Sequence, residues 1–261
     1  MKSILNIAAY HFVAIHDTLA LQEKLLNTAS SLELKGTILI AEEGINLFLA
    51  GTEASIESFI QTLCTDIRFA NLEVKRSWSE RQPFRKLLIK IKPEIIRMNH
   101  PTIKPSFDPL LPARAPAVDA KTLKHWLDQG CDDTGKPVVT LDTRNAFEVD
   151  YGTFNGAIDW RIDKFTEFPA AFNAHIDDLK GKTVVSFCTG GIRCEKAAIY
   201  MREAGLEDVY QLDGGILKYF EKTAKEANNH YTGTCFVFDE REALDVALKP
   251  TDHPRRPKRP T

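Results

Sequence analysis

The 261-residue chain is 43% hydrophobic and 27% charged with a formal net charge of −2, a balance that excludes fibrous and disordered classes. No apolar run approaches the roughly 20 residues of a membrane span, and the N-terminal Met1-Lys2-Ser3-Ile4-Leu5-Asn6 has no long apolar core of a secretory signal. The cysteines Cys64, Cys131, Cys188, Cys194 and Cys235 are odd in number and widely scattered, which argues against a disulfide framework and predicts a reducing, cytoplasmic setting.

Ile4 to Phe12 predicts a strand, and Asp17 can cap a helix carrying Leu21, Leu25, Leu26 and Ala29. Thr37 to Ala41 and Ile45 to Ala50 flank the turn Glu42-Glu43-Gly44 and predict a hairpin. Thr52 caps a second helix bearing Ile56, Phe59, Ile60 and Leu63, and Leu72 to Ser77 predicts a short strand. The order β-α-β-β-α-β is that of a small ferredoxin-like α+β domain. From Glu73 to Lys104, nine Lys and Arg residues oppose three acids, a local charge of +6, with Trp78 and Phe84 interleaved. Clustered cations with aromatics are the footprint of a polyanion surface. The competing reading is a solvated edge strand, Leu87 to Lys92, protected by its lysines. This first domain with its basic extension is taken as residues 1–100. Pro101, Pro105, Pro109, Pro112 and Pro116 then predict an extended linker over 101–117.

From 118 to 225 short strands alternate with helices, which predicts a parallel α/β sheet flanked by helices. Its strands are Val138 to Asp142, Thr183 to Phe187 and Val209 to Leu212. Ligands of such sheets bind beyond the C-terminal strand ends, where Asp142, Cys188 and Asp213 stand. Residues 226–248 form a C-terminal extension in which Cys235 to Phe238 reads as a strand or an apolar patch. Residues 249–261, with Pro254-Arg255-Arg256-Pro257-Lys258-Arg259-Pro260, predict a disordered basic tail.

The chemistry concentrates in Cys188-Thr189-Gly190-Gly191-Ile192-Arg193, a cysteine where an apolar strand turns into a helix. Backbone N–H groups converge at such a turn, at the positive end of the helix, and lower a thiol pKa. A phosphatase loop needs five residues between its cysteine and arginine, but Cys194 occupies that place and Arg193 comes one residue early. Two cysteines with five residues between them and no nearby histidine fit no usual zinc spacing, so no metal site is assigned. A merely structural cysteine explains neither the glycines nor the arginine. A nucleophile, free or carrying an extra sulfur, suits the tight cradle.

Leu141-Asp142-Thr143-Arg144-Asn145, Gly152-Thr153-Phe154-Asn155-Gly156-Ala157, the Cys188 loop and Leu212-Asp213-Gly214-Gly215-Ile216 together resemble the signatures of a rhodanese domain, with Thr153 and Asn155 in place of that family's usual histidine and proline. Joined to the small first domain, Ala41-Glu42-Glu43-Gly44-Ile45-Asn46, Cys194-Glu195-Lys196 and Cys235-Phe236-Val237-Phe238-Asp239, the whole chain resembles the bacterial tRNA uridine hydroxylase family. The resemblance implies oxygen-dependent formation of 5-hydroxyuridine at wobble position 34, with O2 and an unknown reductant as co-substrates and no identifiable cofactor. It implies tRNA, through its anticodon arm, as the macromolecular partner, with a sulfur or electron donor protein unassigned and no membrane. The rival classes are a persulfide-forming sulfurtransferase and a non-catalytic rhodanese module that binds a partner.

Cys188 is the expected catalytic residue, within the loop Thr189, Gly190, Gly191, Ile192 and Arg193. Arg193 supports the loop or contacts an anion, and Cys194 either resolves an oxidised Cys188 or packs the helix. Asp142 and Arg144 are expected to face the loop, with Asp142 as pocket lining or as a helix cap. Glu195 and Lys196 fall in the first helical turn, where only the acid suits the helix dipole. Trp78, Arg81, Phe84, Arg85 and Lys86 are the candidates for binding the anticodon arm, since wobble bases sit in a single-stranded loop read by stacking and phosphate contacts.

Overall fold

The computed structural model describes residues 3–108, 110, 113–226 and 228–251. The alternation of apolar and polar residues in Ile4–Phe12 (β1) puts Leu5, Ile7 and Ala9 on one face and Asn6, Ala8 and Tyr10 on the other. Thr18–Ser31 (α1), Lys35–Ala41 (β2), Gly44–Gly51 (β3), Glu53–Cys64 (α2), Val74–Ser79 (β4) and Leu87–Ile91 (β5) follow. The sheet order is β4-β1-β3-β2-β5. Its first four strands have the ferredoxin-like arrangement, and the lysine-bearing edge strand β5 adds to β2 in parallel. The short fourth strand lies two residues later than the sequence suggests.

Both helices cover one face only. Leu21, Leu25 and Ala29 of α1 and Ile56, Phe59 and Leu63 of α2 bury against Leu5, Ile7, Ile38, Ile40, Leu47 and Leu49. Thr52 caps α2 by accepting the Ser55 N–H. Asp17 stands at the start of α1 without such a bond and instead pairs with Arg68. The opposite face of this sheet carries no helix of its own domain.

The second unit contains Ala117–Val118 (β6), Ala120–Gln129 (α3), Val138–Asp142 (β7), Ala146–Val149 (α4), Gly152–Phe154 (β8), Phe168–His175 (α5), Thr183–Phe187 (β9), Ile192–Glu203 (α6), Val209–Leu212 (β10) and Gly215–Thr223 (α7). Strands β6-β10-β9-β7 form a parallel sheet. Leu123, Trp126, Ile216, Tyr219 and Phe220 of α3 and α7 pack on one face, and Phe168, Phe172, Ala197 and Met201 of α5 and α6 on the other. Ala157 to Asp159 forms only an isolated bridge, Ile158 to Leu141.

The C-terminal extension folds back as Tyr231–Gly233 (β11), Cys235–Phe236 (β12) and Ala243–Leu244 (β13). Strand β11 pairs with β8, and β12 with β13. The proline-rich segment is seated rather than merely spanning. Ile103 and Ala115 are buried, Ser106 bridges Ala113, and the Phe107 N–H donates to the Phe12 carbonyl at 2.8 Å. Of the expected tail, residues 252–261 lie outside the described residues. Lys249 and Thr251 are hydrogen-bonded to Asp245 and Ala243, so order extends to 251. No helix among the described residues is long and apolar enough to cross a membrane.

Candidate active site

The helix-free face of the first sheet closes over the C-terminal end of the second. Between them lies a cavity of about 910 Å³ lined by Cys188, Thr189 and Gly190 below and by Asn6, Ala8, Tyr10, Asn46, Phe48, Lys75 and Ser77 above. A cavity of this size holds a nucleotide-sized ligand.

Strand β9 is buried throughout, so its end delivers Cys188 to a fixed place. The chain then turns through Gly190 and Gly191 into α6, and Gly191 adopts φ +98°, a left-handed conformation that glycine accepts without strain. Its N–H donates to Cys188 Sγ at 3.1 Å. The Asp213-Gly214-Gly215 turn backs the loop, and the Ile216 and Leu217 N–H groups hold the Cys188 and Thr189 carbonyls at 3.0 and 3.1 Å. A side chain at Gly215 would meet the Cys188 carbonyl at 2.5 Å.

Burial pushes the Cys188 thiol up, but a hydrogen bond from Cys194, the Arg193 guanidinium and the Arg193 and Gly191 N–H groups outweigh it and hold the thiol down at about 6. Cys188 is therefore largely thiolate at neutral pH. Cys194 is driven upward by its own burial and by the Cys188 charge, which keeps it a protonated donor, and its sulfur also lies 3.7 Å from Thr143 Oγ1. Burial, reinforced by the charges of Glu148 and Asp142 and only partly offset by Arg144, pushes Cys235 up to about 12, so it is an inert packing thiol.

Arg193 supports the loop. Its Nη1 and Nη2 donate to Glu148 at 2.6 and 2.7 Å in a buried bidentate pair. Asp142 and Arg144 do not line the cavity and Asp142 caps no helix, contrary to both sequence expectations. They form a fully buried pair in which Arg144 Nη2 lies 2.7 Å from Asp142 Oδ2. Arg144 also donates to the Gly152 carbonyl at 2.6 Å, and Thr153 Oγ1 donates to Asp142 at 2.8 Å. The pair ties β7 to β8 behind the loop. Asn145, next in the chain, is the residue that reaches the cavity.

Glu195 and Lys196, assigned from sequence only to a helix end, are buried ties between the two units. Tyr10, Arg114 and Gln211 all donate to Glu195, at 3.1, 2.6 and 2.8 Å. Lys196 pairs with Glu43 at 2.8 Å and Glu94 at 2.6 Å. Glu43 belongs to the Ala41-Glu42-Glu43-Gly44 turn, whose significance the sequence carried only as resemblance.

Of the five RNA candidates, Phe84 alone lines the cavity. Trp78 is 44% exposed but sits opposite Leu5, on the helix-covered side of β4. Arg81 and Lys86 are exposed, and Arg85 pairs with Glu240 at 2.7 Å, all on the loop that carries Phe84. The residues missed are Tyr10, Lys75, Asn46 and Phe238, from three strands and the C-terminal extension. Period-two alternation in β1 was the available signal for Tyr10. Among the described residues, no group of three His, Cys, Asp or Glu side chains is placed to hold a metal ion.

Residues 4–95 match the family described as UPF0176 acylphosphatase like domain, and residues 119–222 match the Rhodanese-like domain family. The chain is 62% identical over 250 residues to a tRNA uridine(34) hydroxylase of Bordetella petrii, a match covering 96% of each chain. It is 61% identical over 254 residues to the protein of that name from Variovorax paradoxus, covering 97% of this chain and 94% of the other. A Bordetella avium protein of the same name is 61% identical over 248 residues, 95% of this chain and 99% of its own.

Proposed function

This chain belongs to the tRNA uridine(34) hydroxylase family, and we propose that it converts uridine 34 of tRNA to 5-hydroxyuridine with Cys188 as the reacting group. The observation that carries this reading is a thiolate at the floor of a nucleotide-sized cavity. Lys92 and Lys164, both exposed, line the same cavity and supply positive charge for the flanking phosphates.

In uracil, C6 is the electrophilic end of an enone and C5 becomes nucleophilic once a thiolate adds at C6. Cys188 is suited to that addition, since its thiolate is stabilised by the Cys194 thiol, by the field of Arg193 and by N–H groups, while the Arg193 guanidinium itself is paired with Glu148. The net change is uridine plus O2, two electrons and two protons to 5-hydroxyuridine plus water. The two electrons come from an external reductant, and loss of the C5 proton with expulsion of the thiolate restores the ring. A wobble base lies in a single-stranded loop and can be turned into such a cavity at modest cost.

The test is mass spectrometry of tRNA from cells whose only copy of the protein carries Cys188→Ser. Loss of 5-hydroxyuridine and its derivatives at position 34 is expected, and growth under ¹⁸O2 should place the label on C5 of the wild-type product. Retained 5-hydroxyuridine removes Cys188 from the reaction. Loss of a thiolated nucleoside instead assigns the protein to sulfur transfer.

A further inference from the structure

We propose that Lys75 is a catalytic residue whose ammonium group neutralises the negative charge that develops on the wobble uracil when the Cys188 thiolate adds to its C6. The inference rests on the covalent reading of Cys188 given above. Lys75 stands in β4 opposite Ala8, on the face of the first sheet that roofs the cavity. Its Nζ lies 5.1 Å from the centre of the Tyr10 ring. The Tyr10 hydroxyl lies only 2.9 Å from where a Cβ on Gly191 would be, and Gly191 binds Cys188 Sγ. Lys75 and Cys188 therefore line one cavity from opposite walls, with Tyr10 between them.

The neighbouring cations of the cavity are already engaged. Arg193 is taken by Glu148, Lys218 by Glu73 and Asp213, and Arg241 by Asp239. Lys92 and Lys164 are exposed at the rim. Lys75 is half-buried, and the carboxylates whose charge it feels, Glu73 and Asp213, are each held by Lys218 at 2.7 and 2.6 Å. Among the described residues its ammonium has the Tyr10 ring as partner and no salt-bridge carboxylate. A cation held on an aromatic face without an anion keeps its charge for a ligand. Desolvation lowers its pKa, as expected for a charge awaiting a counter-ion.

The step balances within the pair. The thiolate electron pair forms the S–C6 bond, the C5=C6 π pair moves toward C4, and O4 takes the negative charge beside the ammonium. No proton, oxidant or electron is consumed until oxygen is added at C5.

The probe is an anticodon stem-loop RNA with 5-fluorouridine at position 34, whose fluorine makes C6 more electrophilic. Adduct formation with the full-length protein is followed by intact mass and RNA affinity by titration. Wild type should form an adduct that Cys188→Ser abolishes. Lys75→Met should slow adduct formation at saturating RNA about 10²-fold, the usual effect of losing one charge-stabilising donor, with affinity within about threefold. Lys75→Arg should recover part of the rate, and Lys75→Gln serves if the methionine variant does not fold. A wild-type rate in folded Lys75→Met or Lys75→Gln overturns the proposal, as does a defect that saturating RNA removes, which would make Lys75 a phosphate contact. If wild type forms no adduct at all, the covalent reading of Cys188 fails, and the role of Lys75 fails with it.

Discussion

The two walls of the cavity are built on opposite principles. The lower wall is backbone: Cys188 sits in a loop of six consecutive residues whose N–H groups, a left-handed glycine and the backing turn at Gly215 define the site. The upper wall is side chains: Asn6, Tyr10, Asn46 and Lys75 come from three strands and meet only because β1, β3 and β4 are neighbours in the sheet. In the reaction proposed above the lower wall supplies the thiolate and the upper wall supplies shape and charge. Neither domain has a closed site alone, and the buried ties through Glu195 and Lys196 hold the walls in register.

The sharpest break is at the lower wall. Cys188→Ser should lower hydroxylation at least ~10³-fold while leaving the thermal midpoint nearly unchanged, because a serine oxygen is neither ionised nor comparably nucleophilic. Next comes the support behind that wall. Glu148→Ala leaves the buried Arg193 charge unpaired, and urea unfolding should report a loss of about 3–5 kcal/mol. An upper-wall substitution such as Asn46→Ala should cost about 1 kcal/mol in urea unfolding, since the buried amide donates a hydrogen bond to the Ile95 carbonyl.

A third measurement tests what tunes the thiolate. Alkylation of Cys188 by iodoacetamide should rise with pH around a midpoint of about 6, and Cys194→Ala should move that midpoint upward. The sign follows from linkage: the folded thiol pKa lies below its ordinary value. Its contribution to stability is present above the unfolded pKa and is lost as pH falls through about 6. The smallest effect belongs to the rim. Changing Arg81, Arg85 and Lys86 to Ala should weaken RNA binding and reduce the salt slope by about one for each phosphate contact removed, without altering the rate at saturating RNA. A rate defect that persists at saturation would move the rim into the site.

The cysteine loop was legible because its determinants are contiguous, and so were the two sheets, whose strand periodicity and glycine punctuation are local. Asp142 and Arg144 were misplaced for the opposite reason. Whether a strand-end arginine faces a cavity or turns back depends on an acceptor such as the Gly152 carbonyl, which only the folded β8 brings into reach. Lys75 was one of nine cations in a stretch with a net charge of +6, and composition does not say which of them loses its carboxylate partner. Lys196 looked like an unfavourable charge at a helix start until Glu43 and Glu94, from another domain, were seen to neutralise it.

By itself the sequence determined the elements, the two α/β units and the turn that presents Cys188, because propensity, capping and a tight turn are written in residues that follow one another. Only the tertiary structure decided which face of the first sheet meets the thiolate, which cations remain uncommitted and which buried charges are ties. Those outcomes depend on pairing and desolvation between residues far apart in the chain, and a charge acquires its role only when the fold has settled which partner stands beside it.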